Sequence, residues 1–421
     1  MKKIIYLCLI PILCIIYSCD DTVKETVTYK ISEPIFMPTE AFRGSVRVSE
    51  EPVEIKKQGK ICFHEGYLYI SEPEKGIHII DNRTPSNPQS IGFIELLGNA
   101  DLAIRNGMLY ADSYIDLVWF DISNPAKPSY VNRLEDVFQK ALPILPDDCW
   151  LIDYEMCFSQ DGKQKGIVIG WKVVERTEEA NKYSGCITNG DYASVGGTEA
   201  NGSYGKMGSM SRFGLYKDYL YTVINNEMTV FNVANSEPVV AANNIYIGWD
   251  VETIFSYKDN LFFGTPFGMR IYSVADPIRP EYQSSITHVY GCDPVVVEND
   301  IAYVTIHSGN LCGQENNELF IVDVSDVKYP RQIVSYTMTQ PKGLGIDNGT
   351  LFVCDEGLKI YNAEDPQTIM SKQLAHHKGM NGLDVIPFDN VLMMIAEDGL
   401  YQYDYSDLQN IRQLSKLPIG N

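Results

Sequence analysis

The sequence predicts an all-β fold, a β-propeller of about four-stranded blades. Three observations support this prediction. A strand-and-turn pattern recurs along the chain, its apolar runs are only five or six residues long, and nothing after the first 18 residues sustains helical periodicity. Short runs rich in Val, Ile, Tyr and Phe, separated by Gly, Asn, Asp and Pro, are typical of strands and turns.

The repeat consists of an apolar run, then an Asp or Asn, then a turn that commonly ends in Pro. Its pivot residues lie 39 to 42 positions apart, except for one gap of 111 and one of 50. A period near 40 with about four strands per unit is what a propeller blade requires. Both faces of the strand at 319–324 are largely apolar, as expected where a sheet is covered on both sides. The pivot residues are Asp81, Asp121, Asn232, Ser273, Asp323, Asn362 and Asp404.

The pivot residues favour a structural role over a ligand-binding one. An Asx side chain caps a turn, and a following Pro fixes φ. Where the pivot is Ser or Asn, the charge is lost but a hydrogen-bonding side chain remains. We therefore expect these residues to shape the turns.

The longest gap in the repeat falls at residues 141–210. Residues 141–153 align without a gap to residues 100–112, and residues 166–175 supply a further strand. We therefore expect eight blades, one of them divergent and followed by an insertion rich in Gly, Ser and Asn. Seven blades with one long insertion is the alternative. In either case the propeller is expected to occupy residues 53–421.

Two of the repeated segments carry a recognisable motif. They read LFIVDVSD (319–326) and LVWFDISNPAKP (117–128). These segments resemble the LVIVD-repeat family of bacterial extracytoplasmic proteins, over roughly residues 60–412 except around 141–210. The resemblance implies a propeller outside the cytoplasm. It implies no activity, because fold does not carry function.

The N-terminus is similar to a bacterial lipoprotein signal. Two lysines precede an apolar stretch at residues 4–17, which is typical of a secretion signal and too short for a stable membrane span. The Ile-Tyr-Ser before Cys19 resembles the lipobox that is cut before a lipidated cysteine. We predict that residues 1–18 are a signal peptide and that Cys19 carries the lipid. Residues 19–52 are then the acidic tether and an N-terminal segment.

The charge of the chain limits its partners. The formal net charge is −21, and removing residues 1–18 takes away two lysines and no acid. Nucleic acid is excluded as a partner, because phosphate binding needs clustered Lys and Arg. Asp20 and Asp21 resemble the acidic signal that sends some Gram-negative lipoproteins to the cell surface. We expect an outer-membrane lipoprotein held by the lipid on Cys19, exposed on the surface or else facing the periplasm.

The axial mouth of the propeller is the expected ligand site. Blade strands run outward from the axis, so polar residues at the start of each innermost strand should meet there. Lys342 and Asp384 occupy such positions, and the loop at 306–318 falls on the same face. A solvated channel that binds nothing is the alternative. The predicted ligand-binding residues are Asp101, Arg212, Trp249, Asp250, Glu252, Asp293 and His307.

The sequence favours a non-enzymatic function. It contains no HExxH, GxSxG, P-loop or GxGxxG motif, and we predict no catalytic residue, cofactor or metal site. We expect a binding or scaffolding protein whose candidate partners are a glycan or an envelope protein. An acidic mouth favours a cation, an amine or a hydroxyl-rich glycan. The alternatives are a glycosidase-like enzyme with carboxylates near the axis, and a structural component of an envelope complex.

Overall fold

The computed structural model describes a molecule built almost entirely from short strands. Within the described residues, no helix is long and apolar enough to cross a membrane. The residues that the structure describes are 26–146, 148–149, 151–158, 166–179, 206–207, 209–224, 226–248, 251–287, 294–307 and 317–420.

Seven antiparallel sheets form the body of the molecule, and four consecutive strands of each sheet make up one blade. The sheet of blade 1 has two further strands, one at each edge. The first strands of neighbouring blades contact one another all the way around, and those of blades 7 and 1 complete the circle. The first strand of each blade is therefore innermost and the fourth outermost. The prediction of an all-β propeller is confirmed.

The elements follow one another in simple chain order. The N-terminal segment contains β1 (Thr26–Met37), α1 (Thr39–Arg43) and β2 (Arg47–Ser49). Blade 1 contains β3 (Ile61–His64), β4 (Tyr67–Glu72), β5 (Gly76–Asp81) and β6 (Gln89–Glu95). Blade 2 contains β7 (Leu102–Arg105), β8 (Met108–Ser113), β9 (Asp116–Asp121) and β10 (Ser129–Leu134). The insertion contains α2 (Tyr154–Cys157), β11 (Ile167–Glu179) and β12 (Lys206–Met207).

The remaining five blades repeat the same arrangement. Blade 3 contains β13 (Phe213–Tyr216), β14 (Tyr219–Ile224), β15 (Glu227–Asn232) and β16 (Val239–Tyr246). Blade 4 contains β17 (Thr253–Tyr257), β18 (Asn260–Thr265), β19 (Gly268–Ser273) and β20 (Glu281–Thr287). Blade 5 contains β21 (Val295–Glu298), β22 (Ile301–Ile306), β23 (Glu318–Asp323) and β24 (Arg331–Thr337). Blade 6 contains β25 (Leu344–Asp347), β26 (Thr350–Cys354), β27 (Leu358–Asn362), a 3-10 helix (Ile369–Lys372) and β28 (Gln373–His377). Blade 7 contains β29 (Gly382–Phe388), β30 (Val391–Ala396), β31 (Gly399–Asp404) and β32 (Arg412–Pro418).

The expectation of eight blades is wrong, and seven blades with an insertion is the observed architecture. The described residues between 141 and 153 form no blade strand. They contain Pro143 and Pro146, which have no N–H to give to a sheet ladder. β11 pairs with β1 along its whole length, from Thr26 opposite Glu179 to Met37 opposite Ile167. The strand expected to build an eighth blade therefore builds a separate two-stranded ribbon.

The turns of the repeat depend on the pivot residues. Each pivot side chain accepts a hydrogen bond from the backbone amide two residues later. The donor–acceptor distance ranges from 2.8 Å at Asp121 to 3.3 Å at Ser273. Asn and Ser serve as well as Asp because only an acceptor oxygen is needed. The structural interpretation of these residues is confirmed.

The ring closes through side chains between blades 7 and 1. The buried amides of Asn82 and Gln402 exchange two hydrogen bonds, of 2.9 and 2.6 Å between nitrogen and oxygen. Around them, side chains such as Leu68 and Leu400 belong to one hydrophobic cluster. No strand passes between the two blades, because each blade is complete within its own stretch of chain.

Every blade also carries the same irregularity between its third and fourth strands. One extra residue of the outer strand is accommodated by a β-bulge, as between Ile321 and Val322 in blade 5. The same shift occurs in the other six blades. Bulges increase the local twist of a strand pair.

Candidate functional site

Besides Glu252 at the start of blade 4, charged residues lie at the starts of the innermost strands in the four consecutive blades 7, 1, 2 and 3. They are Asp384 in blade 7, Lys60 in blade 1, Asp101 in blade 2 and Arg212 in blade 3. We call the face on which these strands begin the mouth face. Because the first strands form a ring, the four residues lie around one side of the axial mouth.

Part of the insertion lies inside the central channel, and we call residues 206–207 and 209–212 the channel segment. Its strand β12 pairs with the inner edge of β3, with Met207 opposite Cys62. A four-stranded blade would leave that edge facing the channel. The insertion therefore returns to the ring through the channel before it enters blade 3.

The carboxylates of Asp101 and Asp384 hold the channel segment. One oxygen of Asp384 accepts from the Ser209 amide and hydroxyl at 3.0 and 2.9 Å, and the other accepts from the Met210 amide at 3.2 Å. Asp101 accepts from the Ser211 hydroxyl at 2.6 Å and from the Arg212 amide at 2.5 Å. Both acidic side chains thus bind the chain itself.

Burial shifts the titration of these acids. It raises the pKa of Asp384 to about 7, against the opposing effects of the Ser209 hydrogen bond and the Lys60 charge. It also raises the pKa of Asp101, although the Lys60 and Arg212 charges and the Ser211 hydrogen bond favour the ionised form. Desolvation is the dominant effect at both positions.

Lys60 is the cation at the centre of this group. Burial lowers the pKa of its ammonium to about 8, while the charges of Asp101 and Asp384 act in the opposite direction. Across the described residues, no side chain or carbonyl forms a hydrogen bond or ion pair with this ammonium. Three N–H groups therefore remain available to an acceptor from outside.

A pocket of about 170 Å³ opens beside Lys60, and we call it the mouth pocket. Blades 1, 2 and 3 and the start of the insertion contribute to its wall. The lining residues used below are Lys60, Glu74, Asp112, Tyr114 and Arg212.

Two carboxyl groups of the mouth pocket are partly committed to the backbone. Asp112 accepts from the amides of Ala100 and Asp101 at 2.7 and 2.9 Å, and burial raises its pKa to about 6. Glu74 accepts from the amide of Ile144 at 2.8 Å, and burial raises its pKa as well. The pocket thus presents cations and protonatable acids together.

The predicted site residues are only partly brought together. Asp101 and Arg212 meet at the mouth, as their hydrogen bond shows. Glu252 is buried at the start of blade 4, and His307 lies half-buried after β22; neither belongs to the mouth pocket. The Lys342 ammonium donates to the side chain of Asn381 at 3.1 Å. Cys19, Trp249, Asp250 and Asp293 lie outside the described residues, as does most of the loop at 306–318.

The sequence analysis missed Lys60, Asp112 and the channel segment. Lys60 occupies the same position before β3 that Asp101 occupies before β7, so aligning the strand starts would have found it. Asp112 is the last residue but one of a second strand, β8, and gave no such signal. Among the described residues, no group of three or more His, Cys, Asp or Glu side chains is placed to hold a metal ion.

The fold and the site together define a class: a seven-bladed β-propeller of contiguous blades, with a charged axial mouth to which its own chain contributes a segment. Three segments of the chain, residues 59–95, 100–136 and 294–338, match the LVIVD repeat family. The predicted resemblance is confirmed for these three segments. No curated protein sequence matches the chain.

Several solved structures are similar to this chain at low identity. A functionally unknown protein from Desulfotomaculum acetoxidans DSM 771 is 11% identical with a TM-score of 0.40, covering 49% of this chain and 68% of that one. Saccharomyces cerevisiae Sqt1 is 12% identical with a TM-score of 0.45, covering 89% and 98%. KlHsv2 with loop 6CD replaced by a Gly-Ser linker is 9% identical with a TM-score of 0.46, covering 86% and 100%.

Proposed function

We propose that this chain is a non-enzymatic binding or scaffolding propeller of the bacterial cell envelope, anchored through a lipid on Cys19. Its ligand binds at the mouth pocket. The observation that carries the proposal is the ammonium of Lys60, which borders the pocket and has no partner among the described residues. Lys60 is half-buried, and an acceptor group bound in the pocket would give its ammonium hydrogen bonds that no described residue provides.

The lining of the mouth pocket favours a polar ligand with both donors and acceptors. Lys60 and Arg212 donate hydrogen bonds, and Asp112 and Glu74 accept them when ionised. The hydroxyl groups of a glycan combine both capacities. We therefore favour an envelope glycan over a simple cation, since Asp101 and Asp384 already bind the channel segment.

The test is a glycan array probed with the full-length chain and with Lys60→Met. We expect the substitution to weaken binding about tenfold to 100-fold, because a hydrogen bond to a charged donor is lost. Lys56→Met is the matched control, since Lys56 is an exposed lysine in the same loop and does not line the pocket. Binding that survives Lys60→Met, but fails when the pivot turns on the opposite face are changed, places the ligand elsewhere.

The envelope location has its own test. If Cys19 carries the lipid, Cys19→Ser releases the protein from the membrane fraction. The neutral replacement of Asp20 and Asp21 then lowers protease accessibility on intact cells. Unchanged membrane retention of Cys19→Ser would contradict the anchor without affecting the ligand site.

A glycan-active hydrolase is the second candidate function. It is favoured by one observation: Glu74 and Asp112 line the same pocket, and burial raises the pKa of both. Glycosidases use a pair of carboxyl groups, one of them kept protonated. Release of 4-nitrophenol from aryl glycosides by the wild type, lost in Asp112→Asn, would establish this function in place of simple binding.

A further inference from the structure

A second and larger cavity lies between blades 2 and 3. Its volume is about 500 Å³, within the range of roughly 300–1,000 Å³ typical of small-molecule sites. The chain that follows β10 forms one wall, and β15 and β16 form the other. It shares only Ile224 with the mouth pocket, so the two are neighbours with different linings.

The outer strand of blade 3 is irregular where it borders this cavity. Between its third and fourth strands, blade 3 has the bulge common to all blades and a second one that no other blade has at that strand pair. Met228 pairs with Ile245 and Val230 pairs with Ala242, so Thr229 faces both Asn243 and Asn244. Asn244 has a positive φ of 52°, in the left-handed region. Bulges and left-handed residues are concentrated at binding sites, where they redirect side chains.

The charged side chains of the cavity are already paired. The ammonium of Lys140 lies 2.6 Å from a carboxylate oxygen of Glu227. A carboxylate oxygen of Asp136 accepts from the Arg43 guanidinium at 3.0 Å. An ionic ligand would have to compete with these pairs.

The neutral polar side chains of the cavity are the groups that a ligand could bind. Within the described part of the chain, the side-chain amides of Gln139, Asn243 and Asn244 make no hydrogen bond. Each amide offers two donor hydrogens and an acceptor oxygen. Phe138 and Val240 add apolar surface to the same lining.

We propose that the cavity between blades 2 and 3 is a second binding site, and that its ligand is an uncharged saccharide. The hydroxyls of a sugar both donate and accept, so they match three unpaired amides. The C–H faces of its ring match the apolar surface. The extra bulge places two of the three amides at the cavity. This site is independent of whether the mouth pocket binds a ligand.

The experiment is isothermal titration of the full-length chain with neutral trisaccharides: cellotriose, maltotriose, mannotriose, xylotriose and triacetylchitotriose. We expect at least one of them to bind. Asn243→Ala and Asn244→Ala should each weaken that binding about fivefold, the effect of losing a hydrogen bond between neutral groups. Removal of Asn244 restores the regular ladder and should abolish binding, with thermal melting as the check on folding.

Matched controls separate this site from others. Asn132→Ala changes an exposed asparagine of the outer strand of blade 2 outside the cavity lining, and it should leave binding unchanged. Lys60→Met should also leave it unchanged. The proposal is overturned if none of the five trisaccharides binds, or if binding ignores both asparagine substitutions. Binding lost with Lys60→Met alone would assign the saccharide to the mouth pocket and overturn the second site.

Discussion

Asp384 binds the protein's own channel segment at a position where the sequence predicted contact with a ligand. It accepts four hydrogen bonds, from Ser209 twice, from Met210 and from Val385. Hydrogen bonds to an ionised carboxylate stabilise the charge, yet burial still raises the pKa to about 7. The side chain therefore titrates near neutrality while it holds the channel segment.

The raised pKa of Asp384 predicts a pH-dependent contribution to stability. The folded chain takes up this proton as the pH falls below about 7, whereas the unfolded chain does so only near its ordinary pKa of 3.8. The contribution is thus complete below the unfolded pKa and lost as the pH rises through 7. Asn cannot titrate. On going from about pH 7.5 to about pH 5, the wild type should gain stability relative to Asp384→Asn, as measured by urea unfolding.

Lys60 does not obscure this measurement. The Asp384 charge raises the pKa of the Lys60 ammonium, so Asp384→Asn lowers that pKa further. A lowered lysine pKa makes the folded variant lose stability as the pH falls, which changes the difference between wild type and variant in the same direction. A difference in unfolding free energy between wild type and Asp384→Asn that stays constant with pH would contradict a raised pKa at this position.

At the scale of elements, the short helix α1 is held to blade 2 by a buried charge cluster. The carboxylate of Asp116 is fully buried and accepts from Arg43 and Arg133, each at 2.9 Å. It also accepts from the amide of Asp136 at 2.9 Å. The N-terminal segment and the chain after β10 are therefore joined through one side chain.

Removing that carboxylate should be strongly destabilising. Asp116→Ala leaves Arg133 buried without its anionic partner, and we expect a loss of about 3 kcal/mol in unfolding free energy. Glu135 also binds Arg43, at 2.6 Å, but its side chain is 55% exposed. Glu135→Ala should cost less than about 1 kcal/mol. Chemical denaturation of the two variants compares them directly, and equal losses would mean that burial of the pair does not matter.

At the scale of the whole molecule, the ring depends on every blade. Blade 7 covers one face of blade 6, where Phe352 and Ile360 are fully buried, and one face of blade 1, where Leu68 is fully buried. Removing blade 7 exposes both faces at once. An open repeat array would instead lose stability in small steps.

A chain ending at residue 377 should therefore fail to fold as a domain. We expect no cooperative thermal transition near the full-length melting temperature, and rapid proteolysis throughout blades 1 to 6. Circular dichroism melting and limited proteolysis measure this. A truncated chain that melts cooperatively close to the full-length temperature would show that ring closure contributes little.

The features that recur in every blade could be predicted from the sequence. Strand lengths, pivot turns and the position of charged strand starts all recur, so the repeat alone places Asp101 and Arg212 at the mouth. The blade count was not accessible in the same way. Residues 166–175 look like a blade strand, and only the pairing with β1 shows where that strand goes.

The site itself was less predictable because backbone groups build most of it. Asp101 and Asp384 are bound largely by amides from a Gly- and Ser-rich insertion, whose composition predicts a loop but not its path through the channel. The second bulge of blade 3 is equally hidden, since Asn243 and Asn244 look like ordinary exposed residues of a strand end.

The contiguous blades have a consequence for the order of the chain. The amide of Gly420 donates to the carbonyl of Ile55 at 2.9 Å, so the repeat region begins and ends at one place. Because the four strands of every blade are contiguous in the chain, joining these ends and cutting at a different turn between blades would keep the four strands of each blade together. The order in which the chain forms the blades is therefore set by the position of its ends, and the ring of blades does not require that order.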